Sequence, residues 1–509
     1  MKKHFLIQVL IIVISLASNS QEALKYQLPP DEIVKIVDAP VTPMVSVSPD
    51  KSAILIIDRA PIITISELSN EELRLAGLRI DPATSGPSRQ SYNTGFKIMD
   101  INGTNVREIT GLPGNPRFGF PSWTEDGKKF VFTNTTQNDV ELWVCDVLKL
   151  TVSKIADNLN MVFGRSVSWL PDNKSLIYSV NIPDRGQRPE RSPVPVGPVI
   201  QENLGKEGQA ATYQDLLKDP VDEAIFEYFA MSQLMLWNGT GNEKLGRPAM
   251  IAAASPSPDG SYILLNILQR PFSYIVPYYR FPVVTIVWDI KGNPVKTLLE
   301  MPLVENEPRG YDKVLPGRRG FSWRSDRPST ITWAEALDEG DFTREMKYHD
   351  QIYYLNAPFS GDPVKLIAAE LRYNWIIWGT ENFALIQEGS DKTRMLVTSS
   401  FNPADPQPAK KKIQEFNSDD GYNNPGRFVT DLNNSGMRIL LTGDKGKSLF
   451  LSGNGASPEG DRPFIDKYDI TSGKTTRLWR SEAPSYETFS SFIDLSKGLI
   501  LTSRQSVTD

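Results

Sequence analysis

VSWLPDNKSLIY (Val167 to Tyr178) packs a strand, a turn and a second strand into twelve residues. β-Branched, aliphatic and aromatic side chains flank a Pro-Asp-Asn reversal, the pattern of two short strands joined tightly. The arrangement recurs along the chain. Close copies are SVSPDKSAILII (Ser46 to Ile57), PSWTEDGKKFVF (Pro121 to Phe132), PSPDGSYILL (Pro256 to Leu265) and FSWRSDRPSTITW (Phe321 to Trp333). Looser ones are IIWGTENFALI (Ile376 to Ile386), DLNNSGMRILL (Asp431 to Leu441) and FIDLSKGLIL (Phe492 to Leu501). The turn positions Asp50, Asp126, Asp172, Asp259, Asp326, Glu381, Ser435 and Ser496 stand 76, 46, 87, 67, 55, 54 and 61 residues apart. A four-stranded blade takes roughly 40 to 50 residues, so the shortest gap holds one bare blade and the longer ones a blade with an insertion. The expected fold is all-β: a seven-bladed or eight-bladed β-propeller over 46–509, with short helical insertions.

Composition excludes some partners. The formal net charge is −6 and the basic residues are scattered, so no electrostatic footprint for nucleic acid is present. Met1-Lys2-Lys3-His4 is basic, Phe5 to Leu16 is almost wholly apolar, and Ala17, Ser18 and Ser20 are small. That order reads as a secretory leader over 1–20, its apolar run too short for a comfortable membrane span, with a retained N-terminal anchor as the alternative. The mature chain is therefore expected to be exported, periplasmic or extracellular, without a span. Cys145, the single cysteine, sits in the apolar run VELWVCDV and reads as a small core residue.

Residues 21–45 form a lead-in segment, with one short helix expected over Asp31 to Val37 after Pro29-Pro30. Ser69 and Glu72 have capping-box spacing, which predicts a helix starting there. The longest insertion, Asn181 to about Leu245, opens with the Pro- and Arg-rich stretch IPDRGQRPERSPVPVGP. Beyond it Pro220 interrupts a helical pattern and favours a helix over Val221 to Phe229.

Catalytic machinery is hard to find. Beyond the leader only His349 remains to serve as a base, and a strand-end histidine is its plainer reading. No Gly-x-Ser-x-Gly elbow occurs. Cys/His metal sites are excluded by count, and the acidic runs Asp338-Glu339-Gly340-Asp341 and Asp419-Asp420-Gly421 lack EF-hand spacing. No P-loop or dinucleotide fingerprint is present, so no cofactor and no metal are expected.

Six segments together carry a resemblance. They are LPPDEIVKIVDAP (Leu28 to Pro40), EELRLAGLRIDP (Glu71 to Pro82), TYQDLLKDPVDEAIFEYFAMSQL (Thr212 to Leu234), RPFSYIVPYYRFP (Arg270 to Pro282), SWRSDRPSTITWAEALDEGD (Ser322 to Asp341) and SGNGASPEGDRPFIDKYDITSGK (Ser452 to Lys474). In this order they resemble the glutamyl endopeptidase branch of the prolyl oligopeptidase family of serine peptidases. The resemblance implies a propeller that screens peptide substrates, followed by an α/β-hydrolase domain bearing Ser, Asp and His, with cleavage after glutamate. It stops where a hydrolase of roughly 200 residues would begin. No catalytic residue can be carried over, and the expectation is a non-catalytic propeller portion whose hydrolase partner acts in cis or in trans.

A cation must receive a glutamate side chain, and arginine does so in a forked geometry. Arg270, Arg280, Arg318 and Arg319 are the candidate substrate contacts; internal ion pairs are the alternative reading of the first two. Two other functions fit the composition: a stand-alone periplasmic binding propeller, and a glycosidase or lyase with carboxylates in the propeller funnel.

Overall fold

The computed structural model describes residues 27–119, 121–164, 166–192 and 211–506; the leader-like residues 1–20 lie outside them. Every paired strand among these residues is antiparallel to its neighbours, apart from one isolated bridge between Thr110 and Thr151. Successive stretches of chain fold into four-stranded meanders. The first joins Met44–Val47, Ala53–Arg59, Asn93–Asp100 and Arg107–Glu108. The second runs from Ser122–Trp123 to Thr151–Ala156. Asn242–Pro256 belongs to two sheets: its first half closes the third, and its second half opens the fourth. The fifth starts at Arg318–Trp323, the sixth at Arg372–Thr380 and the seventh at Arg427–Phe428. The hairpin Tyr486–Asp494 with Leu499–Gln505 follows and packs through Phe489, Phe492 and Ile500 on the seventh sheet.

All eight repeated turns fall between two paired strands, as the spacing predicts. The repeat also explains its own tryptophans. Trp123 Nε1 donates to Ser46 Oγ at 3.0 Å, Trp169 to the Ser122 carbonyl at 2.9 Å and Trp323 to the Ser255 carbonyl at 2.9 Å. Each indole thus leaves the first strand of one sheet for the first strand of the sheet before it, burying a polar tip with a partner.

The turns that end the first strands touch one another in order. Gly127 of the second presses on Asp50 of the first. The Asp126 amide donates to Asn173 Oδ1 at 3.2 Å, Gly260 lies against Pro171, and the Ser329 hydroxyl, at the end of the fifth turn, donates to Asp259 at 2.6 Å. Arg324 stacks 4.1 Å over Trp378 of the sixth sheet. The first strands therefore all run toward one turn face and start at the opposite, strand-start face.

Two sequence expectations need correction. The helix near residue 69 starts earlier: Ile65–Leu68 is capped by Thr64, whose hydroxyl accepts from the Glu67 amide while Glu67 accepts from the Thr64 amide. Ser69 ends that turn, and Glu72 instead takes Ser88 and Arg74. Two adjacent boxes were available, and the upstream Thr64-x-x-Glu67 formed. The seventh turn copy is also not the turn of its sheet. Thr430–Leu432 and Arg438–Leu440 form a hairpin that leaves the first strand of the seventh sheet part-way; Arg427–Phe428 and Thr442–Gly443 both pair Ser448–Gly453.

The helices over Asp31–Val37 and Pro220–Ala230 form where the sequence puts them. Asp219 caps the second by accepting from the Val221 and Asp222 amides. Its apolar stripe, Ile225, Phe226 and Phe229, packs with Leu75 and Ile80 of the 73–81 hairpin and with Phe272 and Phe281. Insertions of the first, third and fourth sheets thereby share one core. All three leave the ends of second strands, so this cap sits on the strand-start face.

Candidate functional site

A cleft of about 950 Å³ lies beside the cap. Ile62, Ile63, Tyr92, Glu67, Arg117 and Gln137 are among the residues that line it. Ala60, Pro61, Gln90, Ser91, Tyr92 and Thr135 line both this cleft and a second hollow of about 480 Å³, which reaches Gly119, Met161 and Val167. Arg117 pairs with Glu67 at 3.3 Å and lies over the Tyr92 ring. Sequence reasoning missed this cleft because its walls come from separate loops, each of ordinary composition.

A buried charge network stands on the same face, between the fifth and sixth sheets. Arg372 meets Asp338 with two bonds, at 3.1 and 2.7 Å, and Asp350 at 3.0 Å. Its Nε donates to the Asp312 carbonyl at 2.6 Å. The His349 ring nitrogen Nδ1 lies 2.8 Å from Asp338, and the ring stacks on Phe342. Burial alone would raise the Asp338 carboxyl, but hydrogen bonds from Arg372 and His349 outweigh it and hold the group below its ordinary range. A histidine oriented by an aspartate is two thirds of a nucleophilic triad. No serine, threonine or cysteine side chain completes it among the bonds of the described residues; the tie between the fifth and sixth sheets is Arg372, which bonds Asp338 and Asp350. His349 stands at the strand end, as its sequence context suggests, and is buried rather than on the surface.

The four nominated arginines fall in two places, and each already holds a carboxylate. Arg270 reaches Glu223 at 2.6 Å and Glu227 at 2.7 Å, one turn apart on the Pro220–Ala230 helix, and covers Phe272. Arg280 pairs with Glu307. Arg318 bonds Glu335 at 3.1 Å and lies over Trp333. Arg319 pairs with Asp350, leaving its Nη1 buried without a partner. Exposed Arg59 and Arg427 make no ion pair among the described residues.

Other chemistry is sparse. The Cys145 thiol is buried and pushed up to about 12 by desolvation. Among the described residues no group of three or more His, Cys, Asp or Glu side chains could hold a metal ion. No helix among them is long and apolar enough to cross a membrane.

Four-stranded antiparallel sheets whose turns meet in sequence around a ring define a β-propeller-type body. No family model matches the chain. It is 36% identical over 482 residues to a protein named probable glutamyl endopeptidase, chloroplastic, of Arabidopsis thaliana, covering 91% of this chain and 50% of that one. A protein of the same name from Oryza sativa subsp. japonica is 34% identical over 520 residues, covering 96% and 55%. The chain is thus a homologue of proteins named glutamyl endopeptidase, and it spans about half the length of the curated relatives it matches. Similar solved structures include a prolyl endopeptidase (11% identity, TM-score 0.43, 91% of this chain and 54% of that one). Another is the β-propeller domain of the Trilobed protease of Pyrococcus furiosus (12% identity, TM-score 0.38, 87% and 100%). Likeness of that degree carries no argument about the site.

Proposed function

We propose that this chain is the non-catalytic, substrate-admitting propeller of a glutamyl-endopeptidase-like serine peptidase. We read its seven four-stranded sheets as seven blades and the final hairpin as an addition to them. The observation that carries the reading is the relationship along nearly the whole chain to peptidases about twice as long. The geometry supports a partner on the strand-start face. Large apolar side chains are exposed on that side: Ile62 at 74% and Ile65 at 85%. Such a surface suits a folded partner better than water. The partner we infer is an α/β-hydrolase domain, in cis or in trans, with peptide as the substrate passing between the two bodies. Export, read from residues 1–20, belongs to the same proposal.

The arginines enter as specificity determinants to be tested. A substrate glutamate would have to displace a resident carboxylate from Arg270, Arg280, Arg318 or Arg319. The test is cleavage of Glu peptides by a complete enzyme carrying Arg270→Ala or Arg280→Ala. Unchanged turnover and unchanged preference would remove those two.

A further inference from the structure

The hairpin Thr430–Leu440 reaches much further than its sheet. Asp431 pairs with Lys51 of the first turn at 2.6 Å. Asn433 Nδ2 donates to the Ser325 carbonyl of the fifth turn at 2.7 Å. A Cβ on Gly436 would stand 3.8 Å from Cβ of Glu125 in the second turn. Met437 packs on the cluster of Trp323 and Phe359, and Leu440 lies against Gly379 of the sixth sheet. A four-residue reversal that touches the second and fifth turns at once lies across the ring they form.

We propose that Thr430–Leu440 is a hinged plug that closes the turn-face mouth of the ring, latched by Lys51 and Asp431. Its attachment permits movement. The chain leaves the seventh sheet at Val429 and rejoins it at Leu441, where the Leu441 amide donates to the Val429 carbonyl at 3.0 Å. On either side, Arg427–Phe428 and Thr442–Gly443 keep their pairing with Ser448–Gly453. The hairpin can therefore swing out without unpairing its sheet. Its seat is mostly polar and weak. Lys51 and Asp431 are 27% and 35% exposed, and an ion pair so hydrated holds little. Met437 and Leu440 supply the apolar grip, and Leu440 alone of the hairpin is fully buried. While the plug is seated, a peptide reaches the interior from the strand-start face. The inference concerns this end of the ring and stands whether or not a hydrolase partner exists.

Thiol labelling of the full chain tests it, with Cys145 as an internal clock for global unfolding. In a Met437→Cys variant, the thiol at position 437 should react well below the rate of a free thiol and well above that of Cys145. Adding Lys51→Ala should raise the rate at 437 about two- to five-fold, the effect of losing one half-exposed ion pair, and leave Cys145 unchanged. High salt should act similarly on the parent variant, which keeps the test decisive if Lys51→Ala folds poorly. Labelling at the free-thiol rate would mean that the plug is not seated. Labelling as slow as Cys145, or a rate indifferent to both Lys51 and salt, would make the hairpin a fixed wall and overturn the proposal.

Discussion

Arg372 holds two aspartates at once, and the carboxyl of Asp338 is kept ionised against its own burial. The direction fixes a pH dependence. A group whose folded pKa lies below its unfolded value contributes stability above the unfolded value, about 4 for aspartate. That contribution is lost as pH falls through this value toward the lower, folded one. Asp338→Asn should therefore lower the unfolding free energy by about 3 kcal/mol at pH 7, because it leaves Arg372 buried and underpaired. The cost should shrink steadily below about pH 4. Urea unfolding at several pH values measures it, and a pH-independent cost would refute the role given to Asp338. Gly340, two residues on, has φ +83°, and a Cβ there would lie 1.9 Å from the Val314 carbonyl oxygen. Gly340→Ala should cost more than about 1 kcal/mol through strain and that collision. Neither residue announces this in sequence, since Asp-Glu-Gly-Asp reads as any acidic turn.

Among the elements, the strand–turn–strand unit was the legible one. Its alternation and its Pro, Asp and Gly punctuation are local, so Asp50, Asp126 and Asp259 mark real reversals. The Ser-Trp pairs at 122–123, 168–169 and 322–323 were visible too, but their reason lies in the neighbouring sheet. Trp169→Phe should keep the packing and lose the bond to the Ser122 carbonyl, at a cost of about 1 kcal/mol in thermal or chemical unfolding. Asp219→Ala should cost a similar amount by uncapping the Pro220–Ala230 helix. Local patterns also misled. Ser69-x-x-Glu72 has the right spacing five residues late, because a capping box does not say which of two neighbouring starts wins. DLNNSGMRILL has the right form for a blade turn, yet it belongs to a hairpin set into a strand. Only the pairing of the flanking residues 427–428 and 442–443 with Ser448–Gly453 separates the two cases. The cleft around Tyr92 and Arg117 was illegible because chain segments far apart in sequence build it.

For the whole molecule, the sheets, their meeting turns and the insertion cap describe a body with two unlike faces. One carries the turns and the plug; the other carries the cap, the cleft, the charge network and exposed apolar side chains. Much of the polar chemistry is engaged within the fold itself. His349 is spent on Asp338, Cys145 is sealed in a core, and the nominated arginines are engaged by carboxylates. The proposed function is that this chain guides substrate without cutting it. The most direct measurement is turnover of a fluorogenic peptide containing glutamate by the purified 509-residue chain. The account predicts no hydrolysis above a blank at any chain concentration. Hydrolysis that scales with the chain and is absent from a mock purification would contradict it.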